Sequence, residues 1–348
     1  MTGDVYKLNN QGCSKFNKTI SSILNGEISD QKIALFLSKL SNHGESDEEL
    51  LLVLKNLQKF AIHVPIENDN AIDVCGTGGD KKNTINVSTA AAFVIASLNG
   101  VVAKHGNRSS SGLIGSADIF EYFGYDLNKS PNQIIKMLQK YNICFMFAQK
   151  FHPALHNIHN ARKMINGPTI FNIVSPISNP AGVKNQLIGV YDDKLVERLP
   201  KILKENGSTN IMTVRSEDGL DEISTTSNNH ICILQNGKIK SFILNTVDIG
   251  LPKTKLSDIQ ISSNIDALVS FISILDNTAK KSLINIIAVN AAAGLIISNL
   301  ASDFREGVKM ALNSIYEKKP YYLFKKFITE YGDIKKLENI ENIKNEYS

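Results

Sequence analysis

From Ala71 onward the chain alternates short apolar runs with stretches of helical periodicity, and this alternation constrains the fold more than any other feature. The runs are Ala71–Cys75, Val101–Lys104, Ile143–Phe147 and Asn210–Val214, with helices fitting at Ser88–Leu98, Ser116–Phe123 and Asp192–Glu205. Strands separated by helices predict βαβ units and a mainly parallel central sheet. After Leu220, the segments Ile231–Leu234 and Lys240–Leu244 flank Asn236-Gly237, a hairpin signature. The chain then returns to helices, including Ser282–Leu300 and Phe304–Glu317. The tail beyond about Ile334, rich in Lys, Glu and Asn, is expected to fray.

Upstream of the alternation, about Ser14 to Ile62 reads as helix. Phe16, Ile20, Ile23 and Leu24 form one apolar stripe, Ile33, Phe36, Leu37 and Leu40 a second, and Leu50, Val53, Leu54 and Leu57 a third. Gly26 and Gly44 punctuate them, and Pro65 stops the last helix before a linker over Val64–Asn70. A length of 348 residues exceeds one small core. It fits two structural regions or one large domain with a satellite, and the change of pattern at Ala71 divides the chain into a small helical domain over residues 1–70 and a large α/β domain over 71–348.

Composition removes several function classes. A 43% apolar share with 21% charged residues is ordinary for a globular chain. The net charge of +4 suits an anionic small molecule and falls short of the basic stripe of a nucleic-acid binder. Cys13, Cys75, Cys144 and Cys232 are scattered without a CxxC pair, which speaks against a thiolate zinc site or a disulfide framework and fits a reducing cytosol. The N-terminus lacks an apolar signal region, and Ile286–Ala301, interrupted by Asn290 and Asn299, is too short for a membrane span. A cytoplasmic location without membrane contact is expected.

Four segments carry chemistry. In Asp73-Val-Cys-Gly76-Thr77-Gly78-Gly79-Asp80, an apolar strand runs into three glycines within four positions, and a helix begins near Ser88. Such glycines let backbone N–H groups approach a phosphate, and the helix N-terminus adds positive potential. Alone, the loop reads equally well as a plain turn, and it matches neither GxGxxG nor the P-loop. Lys104-His105-Gly106-Asn107-Arg108 follows the next apolar run and brings two cations to a strand's C-terminal end, where open α/β sheets bind ligands. Asp218-Gly219-Leu220-Asp221-Glu222 offers adjacent carboxylates suited to Mg²⁺, although a charged, solvent-facing turn is the plainer reading. His152, His156 and His159 fall at i, i+4 and i+7 on an expected helix, but the absence of HExxH or a nearby thiolate speaks against a zinc site, and His156 and His159 read as helix-surface or packing residues.

In this order the segments resemble the anthranilate phosphoribosyltransferase family. The matching motifs are Gly76–Asp80, Asn86–Thr89, Lys104–Arg108, Gly115–Asp118, Phe151–Ala154, Thr169–Asn172, Asn179–Ala181, Asp218–Glu222 and the late helix around Val289–Ala293, spanning about residues 14 to 320. The resemblance implies a small helical domain, joined by an insertion near 170–195, set against a large α/β domain with a mainly parallel sheet, as a homodimer. It implies transfer of the phosphoribosyl group of phosphoribosyl pyrophosphate (PRPP) to the amine of anthranilate, giving N-(5-phosphoribosyl)anthranilate and pyrophosphate in tryptophan biosynthesis, with Mg²⁺ as cofactor. PRPP would be held by Gly76, Gly79, Asp80, Thr84, Asn86, Lys104 and Ser116, and the metal by Ser88, Asp221 and Glu222. Anthranilate would meet Gly76, Asn107, His152 and Arg162, the last facing its carboxylate. No residue is assigned as a catalytic acid or base. The chain departs from the family pattern at Gly112-Leu113-Ile114 for Ser-Lys-Ser, at Ser175-Pro176-Ile177 for Gly-Pro-Leu, and at Arg215-Ser216 for His-Gly. These changes bear on PRPP affinity and rate more than on reaction class.

Overall fold

A computed structural model describes residues 10–80, 82–109, 113–165 and 167–346. The apolar runs become strands of one seven-stranded sheet: β1 (Ile72–Gly76), β2 (Val102–Gly106), β3 (Ile143–Phe147), β4 (Asn185–Gly189), β5 (Asn210–Ser216), β6 (Asn229–Gln235) and β7 (Lys238–Leu244). Their spatial order is β3-β2-β1-β4-β5-β6-β7. The first five are parallel, and the β6–β7 hairpin adds two antiparallel strands at one edge. Burial along β3 and β4 is continuous rather than alternating, because helices cover both faces. Edge strand β7 is instead largely exposed and carries Lys238 and Lys240, which discourage further strand pairing.

The chain moves outward from β1 to β2 and β3, then returns to place β4 on the other side of β1 before continuing to β5. This reversal creates a switch point between β1 and β4, and a crevice opens there at the strands' C-terminal ends.

Helices α1 (Asn10–Leu24), α2 (Asp30–His43) and α3 (Asp47–Phe60) realise the three N-terminal stripes. Ser46 starts α3 with a capping box, accepting the Glu49 N–H at 3.1 Å while its own N–H donates to the Glu49 carboxylate at 2.9 Å. Between β1 and β4 come α4 (Val87–Ser97), α5 (Ser116–Tyr122), α6 (Pro131–Tyr141), α7 (Ala148–Phe151), α8 (His159–Lys163) and α9 (Ile170–Ile177). After β4 come α10 (Lys194–Glu205), α11 (Asn264–Leu275), α12 (Lys281–Ile297), α13 (Phe304–Tyr316), α14 (Lys319–Tyr331) and α15 (Ile334–Glu346).

Two apolar clusters form. In the larger, α4 and α12 pack together; α12 is buried at every position from Leu283 to Ile297, as a helix apolar all round must be. In the second, the N-terminal helices join α9, α10 and the strand residues Cys75, Ile188, Ile211 and Cys232 on one sheet face.

Two expectations are corrected. Residues 185–189, inside the stretch grouped with the N-terminal helices, form the strand between β1 and β5. The tail does not fray over Ile334–Glu346: α15 buries Leu337 and Ile340 completely.

Candidate active site

Strands β1, β2 and β4 each end in glycine, and the ends of β1 and β2 border a cavity of about 310 Å³. Gly78 and Gly79 follow β1 with φ of 65° and 95°, a region costly to a side chain, so the chain turns tightly and exposes backbone there. Asn86 then caps α4, its side chain accepting the Thr89 N–H at 3.1 Å. This α4 N-terminus, with Ser88 in its first turn, faces the cavity.

The acidic segment after β5 reaches the same place. The Asp218 carboxylate accepts from the Ser216, Ser224 and Thr226 hydroxyls and the Leu220 N–H, so it shapes the loop rather than facing a ligand. These bonds hold its pKa below the usual value against the effect of burial. Leu220 and Ile223 enter the core, which turns Asp221 and Glu222 toward the cavity. Asp221 accepts the Gly78 N–H at 2.8 Å and is 8% exposed; it is not solvent-facing, against the plainer sequence reading.

Three carboxylates thus crowd one wall. Burial, then the charge of Asp80, pushes the Asp221 pKa up to about 6, with the Gly78 N–H opposing. Burial and Asp221 push Glu222 well above its ordinary value, with Lys104 opposing. Burial also raises Asp80. Among the described residues no three His, Cys, Asp or Glu side chains enclose a metal by themselves. Two carboxylates beside the Ser88 hydroxyl nevertheless form a hard-oxygen donor set, and Mg²⁺ commonly takes one or two carboxylates and completes its octahedron with water and phosphate oxygens. The residues fit that ion.

Lys104 is 1% exposed; its ammonium donates to the Val74 carbonyl at 2.6 Å and to the Ser88 hydroxyl at 3.1 Å. Burial lowers its pKa, opposed by Asp73 beneath it, whose own pKa burial raises to about 6. Arg108, the second cation of that motif, is turned aside: it grips Glu121 through both nitrogens at 2.6 and 2.7 Å and meets Asp118 at 2.9 Å. Across the cavity the wall turns apolar, with Leu155, Phe171 and Pro176, and Arg162 donates from its edge to Asn172 at 2.9 Å.

Gly76, Gly79, Asp80, Thr84, Asn86, Ser88, Lys104, Asn107, Ser116, Arg162, Asp221 and Glu222 all line this one cavity. His152 does not. It is 1% exposed and sits behind His105, with ring centroids 5.1 Å apart. The expected helix over the three histidines is also broken: a 3-10 turn over Pro153–Ile158 precedes α8, and His156 and His159 are exposed. Sequence reasoning missed His105, Phe171 and Asn172 as wall residues, although all three sit inside motifs it singled out. Of the three departures, Leu113, Ile114 and Ser175 line the cavity, Arg215 donates to the Tyr191 carbonyl at 3.1 Å, and Gly112 lies outside the described residues.

A switch-point cavity that pairs a glycine turn with an acidic wall defines a class of group-transfer enzyme. The model of the glycosyl transferase family, a/b domain, matches residues 68–319. The anthranilate phosphoribosyltransferase of Nitrosopumilus maritimus is 51% identical over 330 residues, covering 94% of each chain. The crystal structure of the enzyme of that name from Thermus thermophilus superposes with a TM-score of 0.85 at 27% identity, over 91% of this chain and 94% of that one. A Saccharomyces cerevisiae anthranilate phosphoribosyltransferase, in complex with PRPP and Mg, shares the fold with a TM-score of 0.81 at 24% identity, over 92% and 93%. The chain belongs to the anthranilate phosphoribosyltransferase family.

Proposed function

We propose that the chain transfers the phosphoribosyl group of PRPP to the amine of anthranilate and releases pyrophosphate. One observation carries the reading: the cavity joins an acidic, glycine-turn wall suited to a metal-bound pyrophosphate to an apolar wall edged by Arg162, suited to an aromatic carboxylate. Gly76, Gly79, Asp80, Thr84, Asn86, Lys104 and Ser116 would hold PRPP, with Lys104 offering positive charge where the leaving group departs. Ser88, Asp221 and Glu222 would hold Mg²⁺, which supplies charge neutralisation to the departing pyrophosphate. Gly76, Asn107 and Arg162 would seat anthranilate, the guanidinium gripping its carboxylate through two hydrogen bonds. His152 would act from behind, through His105.

The neutral aryl amine is already nucleophilic. As its lone pair forms the new bond to ribose C1, the bond from C1 to the pyrophosphate oxygen breaks, and the amine then gives up one N–H proton to solvent. Positioning the two partners therefore matters more than a strong base. The same reading includes a small helical domain over residues 1–70 joined by α9 (Ile170–Ile177), a homodimer and a cytoplasmic setting. Buried free thiols at Cys75, Cys144 and Cys232 fit a reducing compartment. Among the described residues no helix is long and apolar enough to cross a membrane.

Anthranilate fluorescence tests the activity. Purified protein should quench it only when PRPP and Mg²⁺ are both present; folded protein that leaves the signal unchanged with both overturns the reading. A monomer by light scattering at micromolar concentration would remove the dimer alone.

A further inference from the structure

Helix α12 is a buried run of Ile, Ala, Val and Leu interrupted by Asn285 and Asn290. Asn290 is 0% exposed. Its Oδ1 accepts the Ile223 N–H at 3.0 Å, and its Nδ2 donates to the Ile223 carbonyl and to the Ile286 carbonyl, both at 2.8 Å. One side-chain amide thus satisfies both backbone groups of the residue that follows Glu222, and its third bond ties that amide to its own helix. A buried amide in an apolar helix is costly unless fully bonded, and leucine would serve packing alone.

What the clamp fixes is a direction. Ile223 is 0% exposed and Leu220 1%, both in the larger core, so the two residues between them point the other way, into the cavity. The next residue is held too, because Asn229 accepts the Ser224 N–H at 2.7 Å and donates to the Ser224 carbonyl at 2.9 Å. Any slip of the backbone at Ile223 would carry both carboxylates with it.

We propose that Asn290 is a positioning residue for Asp221 and Glu222: by clamping the Ile223 backbone it aims the two carboxylates at a shared divalent cation. This rests on the reading of that pair as cation ligands. Residues that orient ligands from behind commonly change metal affinity by about 10- to 100-fold when replaced.

Two variants, Asn290→Ser and Asn290→Gln, test it, the second keeping the amide but displacing it by a methylene. Asn285→Ala on the same helix controls for general loosening of α12, and Asp221→Asn reports on the cation reading itself. Mn²⁺ affinity is measured by electron paramagnetic resonance on the whole protein with pyrophosphate present. Amide exchange of the 217–228 segment and the kinetic dependence on Mg²⁺ and anthranilate are followed in parallel. Expected for folded Asn290 variants are faster exchange in that segment, Mn²⁺ affinity weaker by about 10-fold, a matching rise in half-saturating Mg²⁺, and an anthranilate KM within about twofold of wild type. Asn285→Ala should leave Mn²⁺ affinity unchanged. If Asp221→Asn loses Mn²⁺ while a folded Asn290 variant binds it as wild type does, Asn290 is merely structural and the proposal is overturned. If Asp221→Asn itself binds Mn²⁺ normally, the cation reading fails, and the role of Asn290 with it.

Discussion

Gly189 lies directly against Asp221: a Cβ built on the glycine would sit 1.4 Å from the Asp221 carbonyl oxygen. Gly76, its partner in the β1–β4 register, would bring a Cβ to 2.6 Å from the Asp221 carboxylate. The acidic loop therefore rests on the ends of two neighbouring strands that lack side chains there. The obstacle at Gly189 is backbone and cannot rotate away, so Gly189→Ala should displace the loop. Overpacking of this kind costs about 1–3 kcal/mol. Urea unfolding should show that loss together with a raised Mg²⁺ requirement, and a variant with wild-type midpoint and metal dependence would refute the close packing.

Replacing Asp221 and Glu222 by Asn and Gln separates function from stability. Burial raises both carboxyl pKa values, with Asp80 adding to the shift of Asp221 and Asp221 to that of Glu222, so in the folded state their ionised forms are held at a cost. A raised folded pKa contributes stability below the unfolded value and loses it as pH rises through the folded one, about 6 for Asp221. The amides remove that cost, so the double variant should unfold at equal or higher urea than wild type near neutral pH while its rate collapses. Excess Mg²⁺ should restore part of the rate. Unchanged rate and unchanged Mg²⁺ dependence in a folded double variant would sink the metal assignment.

The contrast between β1 and β4 shows what the sequence could reveal. Ile72–Cys75 is apolar except for Asp73 and runs into glycines, so both the strand and the glycine turn were legible. Strand β4 begins with the polar residues Asn185 and Gln186, and tertiary partners satisfy the first: Asn185 donates to the Asp69 carbonyl at 2.7 Å and to the Ala71 carbonyl at 3.1 Å. No local pattern announces such partners. In the same way, the acidic motif identified Asp221 and Glu222, yet the close seating of Asp221 depends on Gly189 and Gly76, far away in the chain. The basic motif promised two cations, but Glu121, a turn into α5, claims Arg108. Local chemistry was readable, and the direction in which each side chain points was not.

Arg162 tests the acceptor wall. It is half-buried at the apolar side of the cavity, and among the described residues its hydrogen-bond partner is the neutral Asn172, so a carboxylate would be a better one. Arg162→Ala should cost about 1.5–3 kcal/mol of anthranilate binding, a rise of about 10- to 150-fold in its KM. PRPP affinity by calorimetry should stay within about twofold, because Arg162 is not among its proposed contacts. Equal loss for both substrates would move Arg162 out of the acceptor site.

The buried His105–His152 pair predicts an acid-side loss of stability. Burial pushes the His152 pKa down to about 4, and burial with the neighbouring His152 and Lys104 pushes His105 well below its ordinary value. His63 adds further positive potential at His152. His105 Nε2 and His152 Nδ1 are both buried without a hydrogen-bond partner, and backbone groups at Pro176 for His105 and at Ser178 and Leu57 for His152 oppose the effect of burial without overcoming it. An unfolded histidine titrates near 6.5. With depressed folded values, the native state is fully favoured above about 6.5 and loses stability as pH falls from there toward about 4, at up to about 1.4 kcal/mol per pH unit for each group. Asp73, raised to about 6, works in the opposite sense over part of that window, so the wild-type profile alone mixes the two. His152→Gln isolates the histidine contribution, since the amide does not titrate. Between about pH 7 and about pH 5, the stability of wild type relative to this variant should fall by up to about 2 kcal/mol in urea unfolding. Parallel profiles for the two proteins over that range would mean that His152 is charged or solvated in the native state and does not lie buried behind His105.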